Sequence, residues 1–226
     1  MAARIPVYLE CGKKKTFAGA LDWPGWCRPG KSEDEALAAL LEYGPKYAAI
    51  LSRTKLGFVA PKDVKELRVV ERLPGTTTTD FGAPGVAPSA DRDRKCDAAT
   101  LERFEKILRA GWRALDKAVL TARGKTLTKG PRGGGRELDA IVDHVVGADR
   151  GYLGAAGWKA PKVAEHSELL AATRAAILEA MRASAAGEIA RRGPRGGTRW
   201  TARYFVRRVV WHEMAHVWEI ERRSGE

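Results

Sequence analysis

The stretch Trp211–Glu219 reads WHEMAHVWE and holds two of the four histidines of the chain, His212 and His216. Apolar residues recur around it at helical spacing, so we predict a helix here. Side chains four apart share one face of a helix, which lets both imidazoles reach a single metal ion. Both also lie on the apolar seam that includes Phe205 and Ile220, where a packed helix normally carries Leu or Val. Buried imidazoles need partners, and a shared metal ion is one.

The same letters satisfy H-E-x-x-H, the zinc-protease signature. Such proteases take a third ligand downstream, but only ten residues follow His216. We therefore look upstream, where His144 lies at the edge of the apolar stripe of a second helical pattern. Three histidines with one open position are the arrangement of catalytic rather than structural zinc. Two alternatives stay open for the pair: a solvated helix face, and core histidines bonded to carbonyls.

Composition narrows the class of protein. The chain has 226 residues, 44% of them hydrophobic, which suffices for one large domain or two small ones. Its formal net charge of +12 favours polyanions or acidic ligands. Three cysteines without a C-x-x-C spacing fit reduced thiols and a cytoplasmic location. The amino terminus has no apolar signal core and no apolar run could span a bilayer, so we expect no membrane association.

A change of composition at residues 74–96 predicts a linker, because Pro, Gly and Thr cluster there without periodicity. We expect domains at 1–73 and 97–226 on either side of it. Before the linker, the pattern predicts strands at 5–10 and 16–21, a helix capped by Ser32, and a strand at 66–71. This ββαβ order is a minimal α+β module.

The region after the linker shows helical periodicity and no strand pattern. It predicts four amphipathic helices, at about 101–119, 136–153, 169–181 and 199–222. The expected fold class is an α+β module followed by an all-α four-helix bundle. His144 falls on the second helix of that bundle, and His212 and His216 fall on the fourth.

The first module resembles the HicB-type antitoxin family over residues 4–72. The resemblance rests on the hairpin end Leu21–Gly25, the turn at Gly30 and the helix start Ser32–Leu37. It implies a degenerate RNase H-like fold that binds partners and carries no catalytic site. Trp23 and Trp26 either form a contact surface or pack on the sheet, and packing is the favoured interpretation.

The second module is similar to the DinB/YfiT superfamily over residues 97–223. The resemblance rests on one histidine in the second helix, His144, and on the H-x-x-x-H pair of the fourth, His212 and His216. It implies an up-down-down-up bundle that holds zinc, or alternatively nickel, on three histidines. Characterised members use low-molecular-weight thiols such as mycothiol and bacillithiol. The function implied is a thiol transferase acting on a small molecule, with a hydrolase as the alternative.

Two similar basic, glycine-rich turns, GPRGGGR at 130–136 and GPRGGTR at 193–199, precede the helices that carry histidines. Amides at a helix start, with nearby arginines, can hold the carboxylates of a thiol cofactor. The cofactor-binding candidates are Arg132, Arg136, Arg195 and Arg199. The alternative is a pair of flexible, solvated loops.

Two acidic residues near the histidine pair are candidates for a role in catalysis or in orienting a metal ligand. Glu213 would act as a general base on bound water, as its place in H-E-x-x-H suggests, or it would lie on the exposed side of the helix. Glu219 is expected to be a hydrogen-bond partner of a ligand histidine.

A second class of function is a non-catalytic, metal-stabilised binding protein. In it, the first module docks a protein or nucleic acid, with a homodimer as a further alternative. Nonspecific nucleic-acid binding is motivated by the net charge of +12 and its clustering. The basic surface is expected to comprise Lys13–Lys15, Arg123–Arg136, Arg191–Arg199, Arg207 and Arg208.

Overall fold

The computed structural model describes residues 4–129 and 135–225. The chain forms two compact units, Met1–Arg94 and Lys95–Glu226, which we call the sheet unit and the helical unit. The first is a mixed α/β unit and the second contains helices only among its described residues. In the part of the chain described, no helix has the length and apolar character needed to cross a bilayer.

The sheet unit is built on four strands in the order β3-β2-β1-β4. Their bounds are β1 Ile5–Cys11, β2 Thr16–Ala20, β3 Cys27–Gly30 and β4 Leu67–Pro74. β2 is antiparallel to β1 and β3, whereas β4 is parallel to β1. Parallel neighbours need a crossover. Helices α1 (Glu33–Glu42) and α2 (Gly44–Leu51) and a 3-10 turn (Val64–Glu66) lie in that connection.

Strand β3 was not expected from the sequence. It is four residues long and includes Pro29, which interrupts any strand pattern. Because β3 is an edge strand, a residue that lacks an amide hydrogen is tolerated there. The expected helix cap is confirmed, since the Ser32 hydroxyl accepts from the amide of Glu35.

The two tryptophans of the sheet unit pack inward. Trp26 is fully buried, and its indole donates to the carbonyl of Leu40 at 2.8 Å. Trp23 and Trp26 both meet Phe58 edge to face, at ring centroid distances of 4.8 and 5.1 Å. The packing interpretation of the tryptophans is the one that the structure supports.

The segment 74–96, expected to be an irregular linker, is helical in part. It contains two short helices, α3 (Thr77–Phe81) and α4 (Ser89–Asp93). The fully buried Glu10 carboxylate accepts from the amide of Gly85 at 2.8 Å. The Glu71 carboxylate likewise accepts from the amide of Ser89 at 3.0 Å. These two strand residues hold the segment on the sheet unit, which extends to Arg94.

The helical unit consists of four long helices and a 3-10 turn, His166–Glu168, among its described residues. The helices are α5 Ala98–Ala122, α6 Leu138–Ala156, α7 Leu169–Ala186 and α8 Ala202–Ser224. Side chains cap two of them, since Asp97 accepts from the amide of Thr100 and Thr201 from that of Tyr204. α8 packs against the other three helices, and α7 also contacts α5 and α6.

Helix α8 is buried on nearly all sides from Ala202 to Met214. Phe205, Val209 and Ile220 are fully buried, as the apolar seam predicts. The histidines on this seam therefore enter the interior of the helical unit. Burial of His212 and His216, at 6% and 8% exposure, excludes the solvated-face alternative.

Candidate metal centre

Three histidines meet between α6 and α8, and we call them the histidine cluster: His144, His212 and His216. The Nε2 atom of His212 lies 3.3 Å from Nε2 of His144 and 3.2 Å from Nε2 of His216. One candidate ligand atom of each residue lies within 4.8 Å of the others. The convergence predicted from the spacing of the three residues is confirmed.

These separations suit a shared divalent ion. With Zn–N bonds of 2.0–2.1 Å, two nitrogens of a tetrahedral site lie about 3.3 Å apart. The observed distances of 3.3 and 3.2 Å between Nε2 atoms agree with that value. The set of donors, three imidazole nitrogens, also suits zinc, copper, iron or nickel better than calcium or magnesium.

Glu219 orients one of the imidazoles. Its Oε2 lies 2.8 Å from Nδ1 of His216, so the proton of a neutral ring belongs on Nδ1 and the lone pair on Nε2 faces the cluster. The other carboxylate oxygen accepts from Arg223 at 3.0 Å. Arg223 also donates through Nε to the carbonyl of Thr128 at 2.9 Å. The expected contact between Glu219 and a histidine of the pair is present.

The surroundings favour the neutral form of two of the imidazoles, those of His144 and His212. Burial, followed by the neighbouring His216 and His144, lowers the pKa of His212 to about 2. Burial and the charge of Arg136 also lower the pKa of His144. The His216 contact, aided by Arg223, lowers the pKa of Glu219 to about 2. Since only neutral imidazoles bind metals, the lowered pKa values of His144 and His212 favour metal binding.

Glu213 does not join the cluster. It is 1% exposed, against the alternative that placed it on the solvent side, and its interacting neighbours are Arg174, Asp149 and Trp112. We call Asp149 and Glu213 the carboxyl pair. Burial raises the pKa of Glu213 to about 7, and burial beside Glu213 raises the pKa of Asp149. Ionisation of both carboxyl groups at once is therefore costly.

The four arginines predicted to bind a cofactor do not act as one group. Arg136 is exposed, and its charge lowers the pKa of His144 and His212, so it belongs to the surroundings of the cluster. Arg199 donates to the carbonyl of Ala190 at 3.2 Å, and Arg195 is exposed on its loop. Arg132 lies outside the described residues.

The second glycine-rich turn, residues 193–199, makes backbone hydrogen bonds within itself. The amide of Gly193 donates to the carbonyl of Gly197 at 2.8 Å, and the amide of Gly196 to the carbonyl of Gly193 at 2.9 Å. An isolated bridge also pairs Arg192 with Thr198. This turn forms a small hairpin before α8 begins, and these two amides are not directed at an anion.

Sequence reasoning placed Arg207 and Arg208 on the basic surface, which is wrong. Arg207 is 3% exposed and Arg208 is 6% exposed. The sequence did contain a signal for the burial of Arg208. This residue lies four residues before His212 and eight before His216, on the same helix face as the two histidines. Asp149 gave a comparable signal, because it lies four residues after Val145 and four before Leu153 on the buried face of α6.

Comparison with known proteins bears on the helical unit. No curated protein and no solved structure matches the chain. A family model described as DinB superfamily matches residues 101–220, more than half of the chain, and that range holds all three residues of the histidine cluster. The match does not extend to the sheet unit, so the HicB resemblance stays a prediction. With the histidine cluster in place and this match over most of the helical unit, the chain belongs to the DinB superfamily.

Proposed function

We propose that the helical unit is an up-down-down-up four-helix bundle that holds one divalent ion, zinc in preference to nickel, on His144, His212 and His216. The observation that carries the proposal is the approach of three Nε2 atoms, at 3.2 and 3.3 Å, in a buried setting. Core histidines with only a structural role would each form a hydrogen bond to a carbonyl or hydroxyl group and would not lie against one another. The orientation of His216 by Glu219 adds the outer contact that metal sites typically have.

The reaction class we favour is transfer of a low-molecular-weight thiol to a small molecule in the cytoplasm, ahead of hydrolysis. A zinc ion bound there would lower the pKa of a coordinated thiol or water toward neutrality. The role of the protein is then to favour the neutral forms of His144 and His212 and to orient His216 through Glu219. Arg136 adds positive charge beside the cluster, where it favours an anionic cosubstrate.

The proposed general-base role of Glu213 requires its carboxylate to reach a water at the cluster. Its burial with Asp149 and Trp112 argues for a structural role instead. The Glu213→Gln variant distinguishes the general-base role from the structural role. If Glu213 is a general base, the variant loses activity, and if its role is structural, the variant keeps activity.

Metal analysis of the purified full chain tests the proposal. We expect about one equivalent of zinc in the wild type and little in His144→Ala, because two imidazoles make a poor site. His166→Ala, a change of the fourth histidine of the chain, is the matched control and should keep the metal. Equal metal content in all three proteins would end the proposal.

A second candidate function is a binding protein that docks nucleic acid, with the sheet unit as a partner-binding module. The net charge of +12 favours it. Against it, burial removes Arg207 and Arg208 from the surface. Mobility shifts over a salt series decide the matter, since retention at physiological salt would place this function ahead of catalysis.

A further inference from the structure

The guanidinium of Arg208 lies in an aromatic cage beside the histidine cluster. It is four residues before His212 on α8, about 6 Å along the helix axis. Its central carbon lies 5.3 Å from the ring centroid of Tyr152, 5.9 Å from that of Trp200 and 5.0 Å from that of Trp211. The Tyr152 ring also meets the His212 ring, at a centroid distance of 5.8 Å. Tyr152 therefore connects the cage with the cluster.

The hydrogen-bonding capacity of this guanidinium is largely unused. Nη2 donates to the Tyr152 hydroxyl at 3.2 Å. Nε and Nη1 are buried and have no partner among the described residues. Nδ1 of His212 is also buried and unpaired within the described part of the chain. Since metal binding through Nε2 leaves Nδ1 protonated, two neighbouring side chains would then offer donors that lack acceptors.

The distribution of charge around the histidine cluster also indicates that an acceptor is missing. Arg208 lies one helical turn before His212, and both side chains contact the Tyr152 ring, so the cation lies close to the cluster. Glu219 is the carboxylate that contacts the cluster, and Arg223 already pairs with it at 3.0 Å. A divalent ion on three neutral imidazoles would add further positive charge. Among the described residues, Asp149 and Glu213 interact with Arg174, and no ion pair joins either of them to Arg208. A buried cation without a counter-charge is costly, so an anion would complete the surroundings of Arg208.

We propose that Arg208 is the anchor for a carboxylate of the substrate or cosubstrate, which it holds one helical turn from the histidine cluster. This inference rests on the proposed metal-dependent function and names the chemical class of its ligand, a small carboxylic acid. The planar, singly charged carboxylate matches one guanidinium lying against flat aromatic rings. Tyr152, Trp200 and Trp211 position the guanidinium and exclude water from it.

Acetate binding to the full chain, with and without zinc, tests the proposal by calorimetry and by thermal shift. Arg208→Met keeps an unbranched apolar side chain, although a shorter one, and removes the guanidinium with its charge. We expect acetate affinity to fall about 10- to 100-fold in this variant, since a charge-assisted hydrogen bond is lost. Arg222→Met, at an exposed arginine of the same helix, is the control and should bind acetate as the wild type does.

A purely structural arginine would behave differently. Its loss would lower the melting temperature, whereas removal of an unpaired buried charge should leave the melting temperature of the ligand-free protein unchanged or raise it. Equal acetate binding by wild type and Arg208→Met, or no acetate binding by the wild type in either form, overturns the proposal. Tighter binding of inorganic phosphate than of acetate overturns the carboxylate assignment. Zinc content, measured on the same samples, reports separately on the metal proposal.

Discussion

The histidine cluster and the carboxyl pair are both buried polar groups formed by α6 and α8, yet they differ in what they can do. His212 and Glu213 are neighbours in sequence, and one residue along a helix turns the side chain by about 100°. One nitrogen of each of the three imidazoles lies within 4.8 Å of the others, and His144 is only partly buried. The carboxyl pair is enclosed, and burial raises the pKa of both carboxyl groups. A reactive residue type becomes a candidate site only where its atoms converge and a ligand can enter.

The strongest test of this difference is a pair of substitutions at adjacent positions. His212→Ala should weaken zinc binding roughly 1,000-fold, because each ligand carries a large share of the binding free energy. Glu213→Gln should change zinc affinity by less than about threefold, since its carboxyl group faces Asp149 and Trp112. Zinc titration against a competing chelator measures both. A loss in Glu213→Gln as large as that in His212→Ala would show that the two groups form a single centre.

A smaller effect is expected on stability as a function of pH. The folded-state pKa of Glu213 is raised to about 7, so the folded state retains a proton that the unfolded state releases above its ordinary value of 4.5. The stabilisation from this proton is complete below pH 4.5 and is lost as the pH rises to about 7. Glu213→Gln removes the dependence and should raise the free energy of unfolding at pH 8 by about 2–3 kcal/mol relative to wild type.

Urea unfolding of metal-free protein at pH 4 and pH 8 checks this expectation. The variant and the wild type should nearly coincide at the lower pH, where both side chains are neutral. A variant that is less stable at pH 8 would mean that ionised Glu213 is stabilised by Arg174 and Trp112.

The smallest effect is expected on zinc affinity when Glu219, at the outer edge of the histidine cluster, is replaced. Glu219→Gln leaves all three ligands in place and weakens the contact that orients His216, so zinc affinity should fall about tenfold. The same titration measures it, with Glu221→Gln on the same helix as a control. No change would indicate that packing alone fixes the His216 ring.

Sequence periodicity predicted the features that depend on local order. It placed His144, His212 and His216 on two packed helices, and it identified the cap at Ser32. It missed strand β3, because four residues that include a proline carry no strand pattern.

The remaining features depend on partners distant in the chain, which no local pattern reveals. The burial of Arg208 depends on Tyr152 and Trp200, and the raised pKa of Glu213 depends on burial beside Asp149. In the same way, segment 74–96 shows no periodicity, and its order comes from carboxylates on the strands.

The buried carboxylate of Glu10 has a consequence for the order of folding. Its amide partner, Gly85, is 75 residues away in sequence, so strand β1 cannot satisfy this charge until that part of the chain has been synthesised. During translation, the first hairpin would carry an unpaired acid into its own core, and contacts of such long range form slowly. We therefore expect the first unit to fold late and as a whole, once the ribosome has released its last residues, rather than strand by strand as they emerge.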